Sequence, residues 1–165
     1  MPLIRTLHPD DWSVYRDLRL RALAEAPYAF CSTYAEESRR TDEAWAARLA
    51  APALGAHRQA WPFVAELDDT PVGLSWVKME GPTASLYQVW VAPEARGRGI
   101  GAALLDAAIT WARAHRAHAL HLSVTAGDGA AARLYRRMGF VDVGAPEPRP
   151  GTALSEQAMV LALGR

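Results

Sequence analysis

The stretch from Ser85 to Ala102, SLYQVWVAPEARGRGIGA, leaves a chain few ways to fold. Leu86 to Val91 is rich in β-branched and aromatic residues and stops at Pro93, which fits a largely buried strand. From Ile100 the apolar residues Leu104, Ala108 and Trp111 recur at helical spacing, and Ile109 and Ala112 widen that stripe toward a core. A further strand, Ala119 to Val124, alternates in its ALHLSV pattern and should lie parallel to the first through the helical crossover. The crevice beyond the carboxyl ends of such strands is where an α/β sheet binds ligands.

Gly97, Gly99 and Gly101 fall on alternate residues at the helix entrance, where unpaired N–H groups point outward and the macrodipole is positive. Such a place binds phosphate, and Arg96 and Arg98 add cationic side chains with the reach for a di- or triphosphate oxygen. Glycines that only make a tight turn, beside arginines in solvent, account for the same residues, so the cluster alone leaves both readings open. A nucleoside-triphosphate P-loop needs Gly-Lys-Ser/Thr, and here Ala102 and Ala103 follow the last glycine, so that reading fails. The dinucleotide fingerprint G-x-G-x-x-G with a later acidic residue meets G-x-G-x-G and a His-rich strand, a weak match.

The stretch resembles the coenzyme A loop of the GNAT superfamily of N-acetyltransferases, Gln/Arg-x-x-Gly-x-Gly/Ala after a Val-x-Pro strand end. Here it reads Val91-Ala-Pro93 and then Arg96-Gly-Arg-Gly99-Ile-Gly101. A second family feature, an alanine-rich helix ending in Leu-Tyr-x-x-x-Gly-Phe, is matched by Leu134-Tyr135-Arg-Arg-Met-Gly139-Phe140. Together the motifs and the segments between them cover roughly the last half of the chain.

The resemblance implies an α/β (α+β) fold, a mixed, mostly antiparallel sheet of about six to seven strands, splayed at its centre and flanked by about four helices. It also implies transfer of the acetyl group of acetyl-CoA to a primary amine of a small molecule or peptide, by direct attack in a ternary complex and without a metal. The implied cofactor contacts are the main chain of Val89, Trp90 and Val91 for the pantetheine arm and thioester oxygen. Residues Arg96, Gly97, Arg98, Gly99, Ile100, Gly101 and Ala102 would hold the pyrophosphate. Tyr135 matches the tyrosine that protonates or hydrogen-bonds the departing sulfur. Where the family has asparagine this chain has Asp128, which accepts hydrogen bonds but does not donate them and also suits a helix cap. The ribosomal-protein alanine acetyltransferase branch carries a basic glutamate where this chain has Ser123, which argues against that peptide specificity. A non-catalytic acyl-CoA sensing module of the same fold is the alternative.

Acetyl transfer needs a neutral amine, and one with a pKa near 10.4 holds its proton at pH 7 by about 4 kcal/mol. Glu36, Glu37, Glu66 and Glu80 are the available carboxylates, each equally explained as a solvated surface charge. Six tryptophans fit an aromatic-walled amine pocket, a small core or a homodimer face.

With 165 residues, half of them apolar, the chain has the size and composition of one domain, 1–165. Eighteen basic and eighteen acidic side chains cancel, which excludes the electrostatic footprint of nucleic-acid binding. The single cysteine, Cys31, reads as a small core hydrophobe in a reducing compartment. The polar start MPLIRTLHPDDW lacks the apolar run of a signal peptide, and no apolar stretch is long enough to cross a bilayer; a cytoplasmic protein without membrane or nucleic-acid partners is expected. His115, His118 and His121 straddle a helix-to-strand change without a completing carboxylate or cysteine, so no metal site is expected.

Along the rest of the chain, Leu3 to Leu7 is a strand and Pro9-Asp10-Asp11 starts a helix to about Ala24, with Arg16, Asp17, Arg19 and Arg21 mostly in solvent. Thr41 caps a helix through Trp45 and Leu49. Residues 52–60 form a loop before a hairpin of Trp61–Leu67 and Val72–Met79 about the turn Asp68-Asp69-Thr70-Pro71, with Gly73 at a bulge or close approach. Phe140 to Val143 begins a strand, the proline-rich run Ala145 to Gly151 is a projecting loop, and Ala153 to Leu163 closes the sheet.

Overall fold

The computed structural model of the chain describes residues 2–27, 32–50 and 60–164; Cys31 and residues 52–59 of the loop expected over 52–60 lie outside them, and Ala60, its last residue, begins a strand instead. Seven strands, β1 (Leu3–Thr6), β2 (Ala60–Leu67), β3 (Thr70–Glu80), β4 (Thr83–Val91), β5 (Ala119–Thr125), β6 (Val141–Pro148) and β7 (Ser155–Ala162), form one sheet. Its order is β1-β2-β3-β4-β5-β7-β6, and every neighbouring pair is antiparallel except β4 and β5. The β2–β3 turn places Asp68 at φ 47° and Asp69 at φ 64°, the left-handed pair whose twist matches a two-residue hairpin.

Five helices accompany the sheet among the described residues: α1 (Trp12–Glu25), α2 (Tyr34–Glu37), α3 (Asp42–Leu49), α4 (Ile100–Ala114) and α5 (Ala130–Arg137). Val72 to Val77 of β3 is buried throughout because the strand is covered on both faces. A β-carbon on Gly73 would meet Leu104 of α4 at 3.1 Å, while Trp76 packs against Tyr15 of α1 with ring centroids 5.7 Å apart. Odd and even positions of one strand point to opposite faces, so α1 and α4 sandwich the sheet. Gly73 is thus the expected close approach. No helix among the described residues is long and apolar enough to cross a membrane.

Three expectations are corrected. The proline-rich run is not wholly a loop, since β6 continues to Pro148, paired with Ser155. It is an exposed edge strand, where a missing N–H costs no ladder bond, and the register shifts between Val143 and Glu147 around Gly144, whose φ is 68°. Arg19 does not face solvent: it is 4% exposed and bonded to the fully buried Glu37, so the ion pair rather than water meets its charge. Asp128 does not cap α5. Gly129 holds that place, without a side-chain cap, and Asp128 is exposed. The additional helix, α2, is a single turn capped by Thr33, whose hydroxyl accepts from Glu36 N–H, and Thr41 caps α3 through Ala44 N–H as its position predicts.

Candidate functional site

β4 and β5 are joined only at Ala84–Leu120 and Ser85–His121. Beyond Ser85 the β5-facing edge of β4 carries no ladder pairs, and a wedge opens between the two parallel strands. The divergence starts where β4 is distorted. Its register to β3 slips between Leu74 and Trp76, and Gln88 is held at φ 56° although it is not glycine. A left-handed non-glycine residue costs roughly 1–2 kcal/mol and persists only where its surroundings enforce it. Here the Tyr15 hydroxyl donates to Gln88 Oε1 at 3.0 Å. Sequence reasoning had no signal for this bulge, because glutamine inside a β-branched run reads as ordinary strand.

Val89, Trp90 and Val91 follow the bulge and lead directly to the glycine loop. The loop ends at Gly99, the N-cap of α4, with φ 79°, and Gly97 has φ 77°. No atom lies within 4 Å of a β-carbon built on either, so that surface is open. Ala103 N–H is bonded to the Gly99 carbonyl, and the cap has no side-chain acceptor. The amides of Ile100, Gly101 and Ala102 are therefore left for an external acceptor. The donor set and the open glycine surface fit a diphosphate.

The two loop arginines differ. Arg98 is exposed and has no hydrogen bond or ion pair among the described residues. Arg96 is committed to the protein: Nε donates to the Val91 carbonyl at 3.0 Å and Nη2 to Glu25 Oε2 at 2.9 Å. The same carboxylate oxygen accepts from the Trp90 indole N–H at 3.0 Å. Arg96 first, and then Trp90, hold the Glu25 carboxyl below its ordinary value. Glu25 at the end of α1 thus pins both sides of the loop, a role that its sequence position does not advertise.

Gly101 differs from its neighbours. It lies inside α4, and a β-carbon there would come within 2.8 Å of Leu134 Cδ2 in α5. The next residue, Tyr135, is 7% exposed, its ring 5.9 Å from that of Phe140, and its hydroxyl has no hydrogen bond among the described residues. Burial pushes its pKa up to about 12, so at neutral pH it is a proton-bearing donor. Ser123 is exposed on β5, paired with Ala158 of β7.

On the α1 side of β4 a pocket of about 240 Å³ is walled by Tyr15, Trp76 and Tyr87 and edged by Arg48, Lys78 and Gln88. Trp76 and Tyr87 stack at 6.2 Å between centroids. Of the four candidate carboxylates none lines it: Glu36 and Glu80 are exposed, Glu66 is bonded to Arg5, and Glu37 is buried behind Arg48. Burial works to raise the Glu37 carboxyl, but Arg19 and Arg48 outweigh it and hold the group below its ordinary value. A carboxylate so held is a poor base.

The chain matches the acetyltransferase (GNAT) family over residues 13–140. The mycothiol acetyltransferase of Thermobispora bispora is 32% identical over 145 residues, covering 83% of this chain and 45% of its own length. This chain spans less than half the length of the curated relatives of that name, since the one from Acidothermus cellulolyticus, 30% identical over 154 residues and covering 83% of this chain, is covered over 44%. A GNAT-family acetyltransferase from Streptococcus pneumoniae superposes with a TM-score of 0.80 at 21% identity, covering 99% of this chain and 100% of that one. The putative acetyltransferase yncA from Salmonella typhimurium, solved with acetyl-CoA, does so with a TM-score of 0.77 at 22% identity, over 100% and 95% of the two chains. The splayed sheet and the family match agree, and the chain belongs to the acetyltransferase (GNAT) family, whose members take acetyl-CoA as co-substrate.

Proposed function

We propose that this chain transfers the acetyl group of acetyl-CoA to a primary amine of a small molecule by direct attack in a ternary complex. The observation that carries the reading is the wedge between β4 and β5, with an open N-terminal helix mouth at its end. The amides from Gly97 to Ala102, with Arg98, hold the pyrophosphate, and the freed edge at Val89, Trp90 and Val91 takes the pantetheine arm and the thioester oxygen. Arg96 acts on the loop's shape, through Glu25 and the Val91 carbonyl. Asp128 stays in the proposal as an exposed acceptor beside α5.

In the transfer, the amine nitrogen forms the new bond to the thioester carbon, the carbon–sulfur bond breaks, and the thiolate leaves. One oxyanion donor is worth roughly 3 kcal/mol of barrier, which backbone N–H groups on β4 supply. Tyr135 offers its O–H to the departing sulfur. A phenol is a weaker acid than a thiol, more so at a pKa of about 12, so hydrogen bonding rather than full donation is its part.

No carboxylate of the described residues lines the acceptor pocket, and the Tyr87 phenol is pushed up to about 12 by burial. The cations Arg48 and Lys78 do the base's work in another way, since a neighbouring positive charge disfavours an ammonium ion and lets the proton go to water. The pocket's volume suits a small molecule better than a protein surface.

Titration calorimetry with acetyl-CoA, NAD and ATP tests the cofactor, with heat expected for acetyl-CoA alone. Free-thiol release on an amine panel tests the transfer. A folded sample that gives no heat with acetyl-CoA ends the proposal.

A further inference from the structure

The acceptor pocket has an unbalanced polar lining. Arg48 and Lys78 are cationic and no lining residue among the described ones is acidic. Lys78 is exposed and has no ion pair or hydrogen bond among the described residues. Arg48 Nη1 donates to Glu37 Oε1 at 2.8 Å and to the Tyr15 hydroxyl at 3.3 Å, while its Nε and Nη2 have no acceptor among the described residues. Glu37 does not neutralise it alone, because the same carboxylate is bonded to Arg19 at 2.9 Å. The Glu37 carboxylate is shared among Arg19, Arg40 and Arg48, so it is not dedicated to the arginine that faces the pocket.

Hydrogen-bonding capacity is skewed the same way. The indole N–H of Trp76 is buried without an acceptor among the described residues. Gln88 Oε1, an acceptor at the pocket edge, already takes the Tyr15 hydroxyl proton. Among the described residues the charged groups of the lining are thus both cationic, Arg48 and Lys78. Arg48 is also preorganised: it lies 5.0 Å over the Trp45 ring while Glu37 and Tyr15 fix Nη1, leaving one side of a planar fork for a two-oxygen ligand.

Resting on the acetyltransferase reading above, we propose that the acceptor amine carries an anionic group, a carboxylate or a phosphate, which Arg48 and Lys78 bind while the amine lies toward the bulge at Gln88. Arg48 supplies the directed contact and Lys78 a solvated charge at the rim.

The test uses matched pairs differing only in the anion: 4-aminobutyrate with n-butylamine, tyrosine with tyramine, and O-phosphoethanolamine with ethanolamine. Free-thiol release gives kcat/KM for each. The anionic member of at least one pair is expected to be about tenfold or more the better substrate, with an advantage that shrinks as ionic strength rises. Whether the carboxylate or phosphate pair shows the larger ratio identifies the group. Lys78→Glu, at an exposed position, is expected to fold with an unchanged melting temperature, to raise KM for the anionic member about tenfold, and to shift the ratio toward the neutral one. Equal or better turnover of the neutral member in every pair, no release from any anionic member, or a ratio unmoved by Lys78→Glu overturns the inference. Loss of acetyl-CoA binding in calorimetry is the separate failure that removes the acetyltransferase reading itself.

Discussion

Leu134 lies so close over Gly101 that a β-carbon on the glycine would be 2.8 Å from its Cδ2. The contact ties the mouth of α4 to α5, and so places the loop and Tyr135 on one rigid unit. Gly101→Ala forces the leucine tip aside, a change of about 1–2 kcal/mol that lowers the melting temperature and weakens acetyl-CoA binding severalfold. Leu134→Ala in the same chain is expected to restore affinity toward that of the single Leu134→Ala variant. Gly99→Ala, strained at φ 79° in open space, loses affinity without rescue by Leu134→Ala. Calorimetry on the double-mutant cycle separates crowding from backbone strain.

Glu25→Ala removes the acceptor shared by Trp90 and Arg96 and leaves the indole N–H of a buried tryptophan without its partner, at a cost of about 1–3 kcal/mol. The expected outcome is roughly tenfold weaker acetyl-CoA binding although Glu25 touches no proposed ligand atom. Glu25→Gln, which keeps one acceptor oxygen, loses less. Titration calorimetry on the two variants checks the order.

Tyr135→Phe deletes only the hydroxyl. Turnover is expected to fall about ten- to a hundredfold while the Kd for acetyl-CoA stays unchanged. With its pKa pushed up to about 12, the phenol keeps its proton through the usual assay range, so any alkaline limb in the pH profile below about pH 10 persists in the variant. Unchanged turnover removes Tyr135 from the reaction.

The buried Glu37 carboxylate ties α1 to α3 through Arg19 and Arg48. Its carboxyl is held below the ordinary 4.5, so the folded state binds that proton less readily than the unfolded chain. The resulting stability is fully present above pH 4.5 and is lost as pH falls through the lower, folded value. Glu37→Gln should melt several degrees lower at pH 7, by removing the negative charge that Arg19, Arg40 and Arg48 share, and that deficit should narrow as the pH falls below 4.5. Thermal melts across that range check the sign.

The cofactor side was legible in the sequence because it depends on local signals. Pro93 ends a strand, alternate glycines open a helix, and apolar spacing from Ile100 shows which face is buried. The proposed acceptor side was not, because its parts come from distant segments. Tyr15, Arg48, Trp76 and Gln88 lie on four elements that only the folded sheet brings together. Arg19 and Glu37 read as surface charges because burial of an ion pair leaves no periodic trace. Pro146 and Pro148 read as loop because proline is excluded from central strands, and an edge strand obeys a weaker rule.

Two residue pairs are all that lace β4 to β5, whereas α4 lies across β2, β3, β4 and β5 on one face. The helix therefore bridges the two strands beside a cleft that begins where β4 bulges at Gln88. A guest entering there meets an aperture that folding has already set, beside a helix whose Leu104, Leu105, Ala108 and Trp111 are buried in the core.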